Sequence, residues 1–159
     1  FAETGLKAQT GSRIKRVQKY VASDQFMLAY GDGISNIPID KLFESHVRRG
    51  LTGTLSGVHP PSRFGMLDIQ GEKVAQFREK PVLEEYVNGG YYVFKKDMFD
   101  RLDSADSCVL EREPLGRLAK DGQLGIYKHD GFWHMMDTYK DYLDLNRMWD
   151  QGTVPWKIW

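Results

Sequence analysis

The chain of 159 residues has a single cysteine, Cys108, so no disulfide can close within it. Its four histidines are scattered and show no metal-finger spacing. These two absences exclude a disulfide-stapled scaffold and a structural zinc finger, and they lead us to expect a reducing, cytoplasmic setting. No apolar run approaches the roughly 18 residues that cross a bilayer, and the N-terminus lacks the basic-then-apolar order of a signal peptide, so no membrane partner is expected. An excess of one charge is missing too: 22 Lys and Arg balance 22 Asp and Glu. Bulk electrostatics therefore advertise no nucleic-acid partner. No Ser-His-Asp or Cys-His order supports a protein nucleophile. A glycine-rich phosphate loop is also absent, and the chain opens Phe1-Ala2-Glu3-Thr4-Gly5 without Met. The expectation is a fragment.

What is present suffices for a core, since 41% of the residues are hydrophobic and the length suits one domain over 1–159. Phe26 to Tyr30 is an apolar run stopped by Gly31-Asp32-Gly33, the pattern of a strand buried on both faces. Lys41 to Arg49 carries Leu42, Phe43 and His46 at helical spacing, with Gly50 as the stop. Leu51 to Val58 reads as a second strand ended by Pro60-Pro61. That order predicts a crossover joining parallel neighbours. Phe64 to Ile69 and Lys73 to Phe77 flank Gln70-Gly71-Glu72 as a hairpin. A strand over Val87 to Phe94 contains Gly89-Gly90, a bulge or a close approach by a ligand. Helices follow at Lys96 to Leu102 and Glu113 to Lys120, with Pro114 in the first turn of the latter. A strand over Gln123 to Tyr127 and a Thr138-capped helix through Met148 complete the pattern.

Several constellations carry chemistry. Asp32 follows an apolar strand between two glycines, where a carboxylate can hold Mg²⁺ or simply close an Asx turn. Glu79 and Lys80 in Phe77-Arg78-Glu79-Lys80-Pro81 offer an acceptor for hydroxyls and a point charge for phosphate, or a solvated charge run. Asn88-Gly89-Gly90 offers an amide beside open backbone, suited to a sugar ring or to a bulge. Glu111 and Glu113 flank Arg112 before a helix start, where acidic residues are favoured in any case. Asp137 reads either as part of a helix cap or as a second metal ligand. His134 lies close by.

Taken in order, Thr10-Gly11-Ser12-Arg13-Ile14-Lys15-Arg16-Val17, Tyr30-Gly31-Asp32-Gly33, Pro60-Pro61-Ser62-Arg63-Phe64-Gly65, Phe77-Arg78-Glu79-Lys80-Pro81, Asn88-Gly89-Gly90 and Pro155-Trp156-Lys157-Ile158-Trp159 resemble the cytidylyltransferase branch of the sugar nucleotidyltransferase family. The resemblance implies an α/β, Rossmann-like nucleotidyltransferase fold with a mixed, mostly parallel sheet whose N-terminal strands are missing. It implies the substrates CTP and glucose 1-phosphate, with CDP-glucose and pyrophosphate as products and Mg²⁺ as cofactor. By the same resemblance Asp32 and Asp137 hold the metal, and Glu79 and Lys80 meet the sugar and its phosphate. Asn88, Gly89 and Gly90 line the sugar pocket, and Arg13 contacts nucleotide phosphates. Gly31 and Glu111 complete the substrate-binding set, and Asp32, Lys80 and Asp137 form the catalytic one. The family's glycine-rich loop would lie before Phe1. A homo-oligomer is expected, with Phe1 to Val17 as an extended arm toward a neighbour. The readings that compete with this one are a non-catalytic sugar-phosphate-binding or assembly module, and a thymidylyl- or uridylyltransferase.

Overall fold

The computed structural model describes residues 1–158; Trp159, the last residue of the Pro-Trp-Lys-Ile-Trp motif, lies outside the described residues. In chain order the elements are α1 (Thr10–Val17), β1 (Gln25–Ala29), β2 (Gly33–Ser35), α2 (Ile39–Arg49), β3 (Gly53–Val58), β4 (Met66–Gln70), β5 (Lys73–Arg78), β6 (Val87–Lys95), α3 (Glu113–Lys120), β7 (Leu124–His129), β8 (Trp133–Met135) and α4 (Tyr139–Asp150), with 3₁₀ turns at Gln18–Tyr20 and Lys96–Arg101. The residues cluster into two compact units, each drawn from three stretches of chain. The first comprises Phe1–Tyr30, Pro38–Ser56 and Gly90–Tyr127; the second comprises Gly31–Ile37, Gly57–Gly89 and Lys128–Trp159.

The first unit is built on a sheet in the order β1-β6-β3-β7. β1 pairs antiparallel with β6, from Gln25 opposite Lys95 to Ala29 opposite Tyr91. Lys95 N donates to Thr52 O and Tyr91 N to Ser56 Oγ, so β6 also runs against β3. β1 and β3 thus point the same way, but β6 lies between them, and the expected pairing of parallel neighbours is corrected to a crossover that leaves room for one strand. Among the described residues β1 ends the strand order, with Met27 43% exposed, whereas Tyr92, Val93 and Phe94 of β6 are fully buried in succession.

The core of this unit joins Tyr92 and Phe94 to Phe99, Met98, Leu110, Leu118 and Ile14. Ile14 comes from α1, whose Ser12 is also buried, with its hydroxyl donating to Gln9 O at 2.8 Å. The expected extended arm over Phe1 to Val17 is therefore corrected: Thr10–Val17 is a helix whose apolar side packs on its own chain. α2 ends at Gly50, whose φ of 65° and bond from Gly50 N to His46 O make the left-handed helix stop.

The second unit contains two short ladders and a helix. β2 and β8 pair antiparallel, with Gly33 opposite Met135, Ile34 opposite His134 and Ser35 opposite Trp133. At three residues each, these strands are too short to show a period in the sequence. β4 and β5 form the expected hairpin, with Gly71 at φ 59° in its turn. α4 starts at a reciprocal capping box: Thr138 Oγ1 accepts from Asp141 N, and Thr138 N donates to the Asp141 carboxylate.

Candidate active site

Within the second unit, the pairing of β2 with β8 sets the positions of two predicted carboxylates. Met136 N donates to Asp32 O at 2.9 Å, extending the ladder by one step, so Asp32 and Asp137 both stand at the same end of it. Asp32 is exposed, and Gly31 beside it has open space around its α-carbon. The Asp137 carboxylate accepts from the guanidinium of Arg63. The N-cap residue itself is Thr138, paired with Asp141; Asp137 lies one residue before it, and its backbone also bonds the Asp141 carboxylate.

Lys80 faces the same region. Lys80 and Asp137 line one cleft of about 440 Å³ together with Pro60, Arg63, Trp133 and His134, and the start of α4 closes it with Thr138, Lys140, Asp141 and Asp144. Lys80 is the one non-glycine residue with positive φ among the described residues, at 44°, and it directly precedes Pro81. A residue before proline prefers extended backbone, so this conformation is doubly disfavoured and must be held by its surroundings. The hold is visible. Pro61 and Val82 form an isolated antiparallel bridge, Ser62 N donates to Pro81 O at 2.8 Å, and Leu83 N donates to Pro60 O at 3.0 Å. Glu79 lies beside it, 3.7 Å from Lys80 Nζ. A β-carbon on Gly65 would sit 2.7 Å from the Phe77 ring and 3.2 Å from Glu79 Oε2, so both side chains would have to shift to admit one.

The sugar-side triplet divides between the two units. Asn88 is exposed in the second, and Gly89 O accepts from Trp133 Nε1 at 2.8 Å, fastening this strand to β8 beside the cleft. Gly90 belongs to the first unit, as do Arg13 and Glu111. Arg13 donates to Thr4 Oγ1 and Leu6 O, and Glu111 accepts from Thr10 Oγ1 at 2.7 Å. The structure thus gathers Gly31, Asp32, Glu79, Lys80, Asn88, Gly89 and Asp137 in one unit and leaves Arg13, Gly90 and Glu111 in the other.

Sequence reasoning passed over Arg63, His134, Asp141 and Asp144 as site residues. Arg63 stood inside a motif, but only the fold shows it reaching Asp137. His134 Nε2 lies 3.5 Å from Asp141 Oδ1. The Asp141 carboxyl is held below the usual carboxylate range, chiefly by the Thr138 hydroxyl, and also by Thr138 N and His134. Asp144 is lowered in the same way by Lys140. Three side-chain cations (Arg63, Lys80 and Lys140) therefore face three carboxylates (Asp137, Asp141 and Asp144) around the cleft. An anionic, hydroxylated ligand meets both donors and acceptors there.

Carboxylates are the ligand type a hydrated divalent cation takes; Asp137 lines this cleft, and Asp32 is not among its lining residues. Among the described residues no group of three or more His, Cys, Asp or Glu forms a self-sufficient metal cage.

Comparison with known proteins gives a consistent answer. Residues 5–151 match the nucleotidyl transferase family. The whole chain is 40% identical to a probable glucose-1-phosphate cytidylyltransferase of Bacillus subtilis (strain 168), covering 63% of that protein. It is 41% identical to a glucose-1-phosphate cytidylyltransferase of Salmonella typhi, covering 62% of it. The chain therefore spans just over three-fifths of these relatives' length. Among solved structures, a putative glucose-1-phosphate thymidylyltransferase from Bacillus anthracis superposes with a TM-score of 0.68 at 20% identity, covering 91% of this chain and 62% of that one. HddC from Yersinia pseudotuberculosis gives 0.66 at 23% identity, covering 89% and 62%. At such identity these two show the fold, a mixed α/β nucleotidyltransferase sheet. No helix among the described residues is long and apolar enough to cross a membrane. With the family match running over nearly all of its length, the chain belongs to the nucleotidyl transferase family.

Proposed function

We propose that this chain carries the sugar-phosphate and metal side of a glucose-1-phosphate cytidylyltransferase, which forms CDP-glucose and pyrophosphate from CTP and α-D-glucose 1-phosphate. The observation that carries the reading is the convergence of Lys80 and Asp137 on one cleft, in a chain 40–41% identical throughout to proteins bearing that name.

In this reading an oxygen of the sugar phosphate attacks the α-phosphorus of CTP. A new P–O bond forms, the bond to the β-phosphate's bridging oxygen breaks, and pyrophosphate leaves with that electron pair. Such a transfer needs positioning and charge neutralisation more than a protein nucleophile. Lys80, pinned in its left-handed conformation by the Pro61–Val82 bridge, presents its ammonium to the sugar phosphate. Glu79 accepts from sugar hydroxyls, and Asn88 contacts the ring beside the Gly89 backbone. Asp32 and Asp137 would hold Mg²⁺, which supplies charge neutralisation to the phosphates when bound.

Pyrophosphate release from CTP and glucose 1-phosphate with Mg²⁺ tests the assignment, using both this chain and a polypeptide spanning the full length of the relatives. Competition by UTP, dTTP and GTP reads nucleotide preference. Activity with CTP in the longer polypeptide is expected. Its absence there, or a clear preference for another nucleotide, overturns the assignment.

A further inference from the structure

Arg63 has no part in the reaction as drawn above, yet it lines the same cleft as Lys80. The bridge between Pro61 and Val82, with Ser62 N bonded to Pro81 O, fixes an antiparallel register. Arg63 lies two residues after Pro61, and Lys80 lies two residues before Val82. Both segments are stiffened, by Pro60-Pro61 on one side and Pro81 on the other. Ser62 Oγ also donates to Phe64 O at 2.7 Å and accepts from Phe64 N at 3.2 Å, which fixes the backbone around Arg63 itself. Arg63, Lys80 and Asp137 line the same cleft.

The Arg63 guanidinium rests on Asp137 while its own side chain is 70% exposed. An ion pair so open to water is weak and exchanges readily. A phosphate monoester carries more charge than a carboxylate and offers a guanidinium two oxygens at matching spacing. A phosphoryl group entering beside Lys80 would therefore compete for Arg63 on favourable terms.

We propose that Arg63 is a second phosphate-binding cation: in the empty cleft it is held by Asp137, and on arrival of a sugar 1-phosphate it transfers to the phosphoryl group and releases the Asp137 carboxylate. This rests on the reading of the cleft as a sugar-phosphate site. It adds a coupling to that reading, since the carboxylate assigned to the metal becomes free only when the phosphate is in place.

Calorimetric titration of glucose 1-phosphate into the chain without divalent cation tests the transfer, with glucose as the phosphate-free reference. Arg63→Gln should weaken glucose 1-phosphate binding by roughly tenfold or more, with Arg63→Lys in between, and should leave glucose unaffected. Asp137→Asn should tighten glucose 1-phosphate binding several-fold, and that gain should vanish in the double variant. Both side chains are at the surface, so thermal melts should match wild type. Unchanged affinity in Arg63→Gln overturns the proposal. So does an Asp137→Asn gain of the same size in the Arg63→Gln background, which marks general charge repulsion rather than a release of Arg63. A wild-type chain that binds no glucose 1-phosphate overturns the sugar-phosphate reading and this proposal with it, an outcome distinct from tight binding that ignores Arg63.

Discussion

Tyr30 and Gly90 are locked together: Tyr30 N donates to Gly90 O at 3.0 Å, and a β-carbon on Gly90 would lie 3.0 Å from Tyr30 Cδ2. Gly90 also has φ 79°, in the region that side chains disfavour. Gly90→Ala should therefore cost about 1–3 kcal/mol of stability, from backbone strain plus displacement of the Tyr30 ring. Urea unfolding at neutral pH measures it. A loss within experimental error would show that the glycine is there for another reason than its backbone.

Lys80 makes the opposite trade. Its left-handed conformation costs about 1–2 kcal/mol relative to right-handed backbone, and Lys80→Gly removes that strain while adding roughly 0.5–1 kcal/mol of unfolded-state entropy. The variant should unfold at equal or slightly higher urea concentration than wild type, yet lose glucose 1-phosphate binding with the ammonium. Lys80→Ala, which keeps the strain and loses the charge, should gain no stability. If Lys80→Gly is clearly destabilised, the strain is not relieved there and the pinned-lysine account fails.

The sequence made some of this arrangement legible for physical reasons and concealed the rest for others. The β4–β5 hairpin, α3 and α4 were readable because Gly71, Pro114 and Thr138 are local signals whose meaning does not depend on distant contacts. β2 and β8 were not, since three residues carry no period, and it is their ladder that brings Asp32 and Asp137 to one end. Helix α1 was hidden for a similar reason: its apolar side rests on Ile14 among polar neighbours, and only the buried Ser12 shows how closely it packs. Lys80 was legible as a charge in a motif, but its strain, the bridge beside it and the cleft it shares with Arg63 are tertiary facts. His134 was legible only as a neighbour of Asp137 in the chain, and only the fold turns it toward Asp141.

Two histidines set a pH window. Burial holds His46 below the ordinary imidazole range, helped by Lys95, and burial does the same to His129. His46 Nδ1 lies 3.0 Å from Thr54 Oγ1 inside the first unit, and His129 Nε2 lies 2.9 Å from Asn36 Oδ1 inside the second. Unfolded chains take up the proton near pH 6.5, above the depressed folded values, so this stability is fully present above that pH and is lost as pH falls below it. Asp141 and Asp144 are also depressed, but their contribution fades only as pH falls below about 4. Urea midpoints should hold steady from pH 8 to 7 and decline between pH 6.5 and 5, with a shallower decline in His46→Gln. A flat profile down to pH 5 would contradict the assignment.

The two carboxylates at the end of the β2–β8 ladder should separate catalysis from stability. Asp32→Asn and Asp137→Asn each keep size and shape while removing one negative charge. In the polypeptide that spans the relatives' full length, each should lower pyrophosphate release on the order of a hundredfold and raise the Mg²⁺ concentration needed for half-maximal rate. Asp32 is exposed, and the pair of Asp137 with Arg63 is largely open to solvent. Surface pairs of that kind contribute about 0–1 kcal/mol, so the melting temperature should hardly move in either variant. Asp150→Asn, at the end of α4, provides the comparison: an exposed aspartate outside the cleft whose replacement should change neither quantity. If Asp32→Asn keeps wild-type rate and Mg²⁺ dependence, that residue is a turn aspartate only. The metal reading would then have to find its second carboxylate among Asp141 and Asp144, which line the cleft beside Asp137.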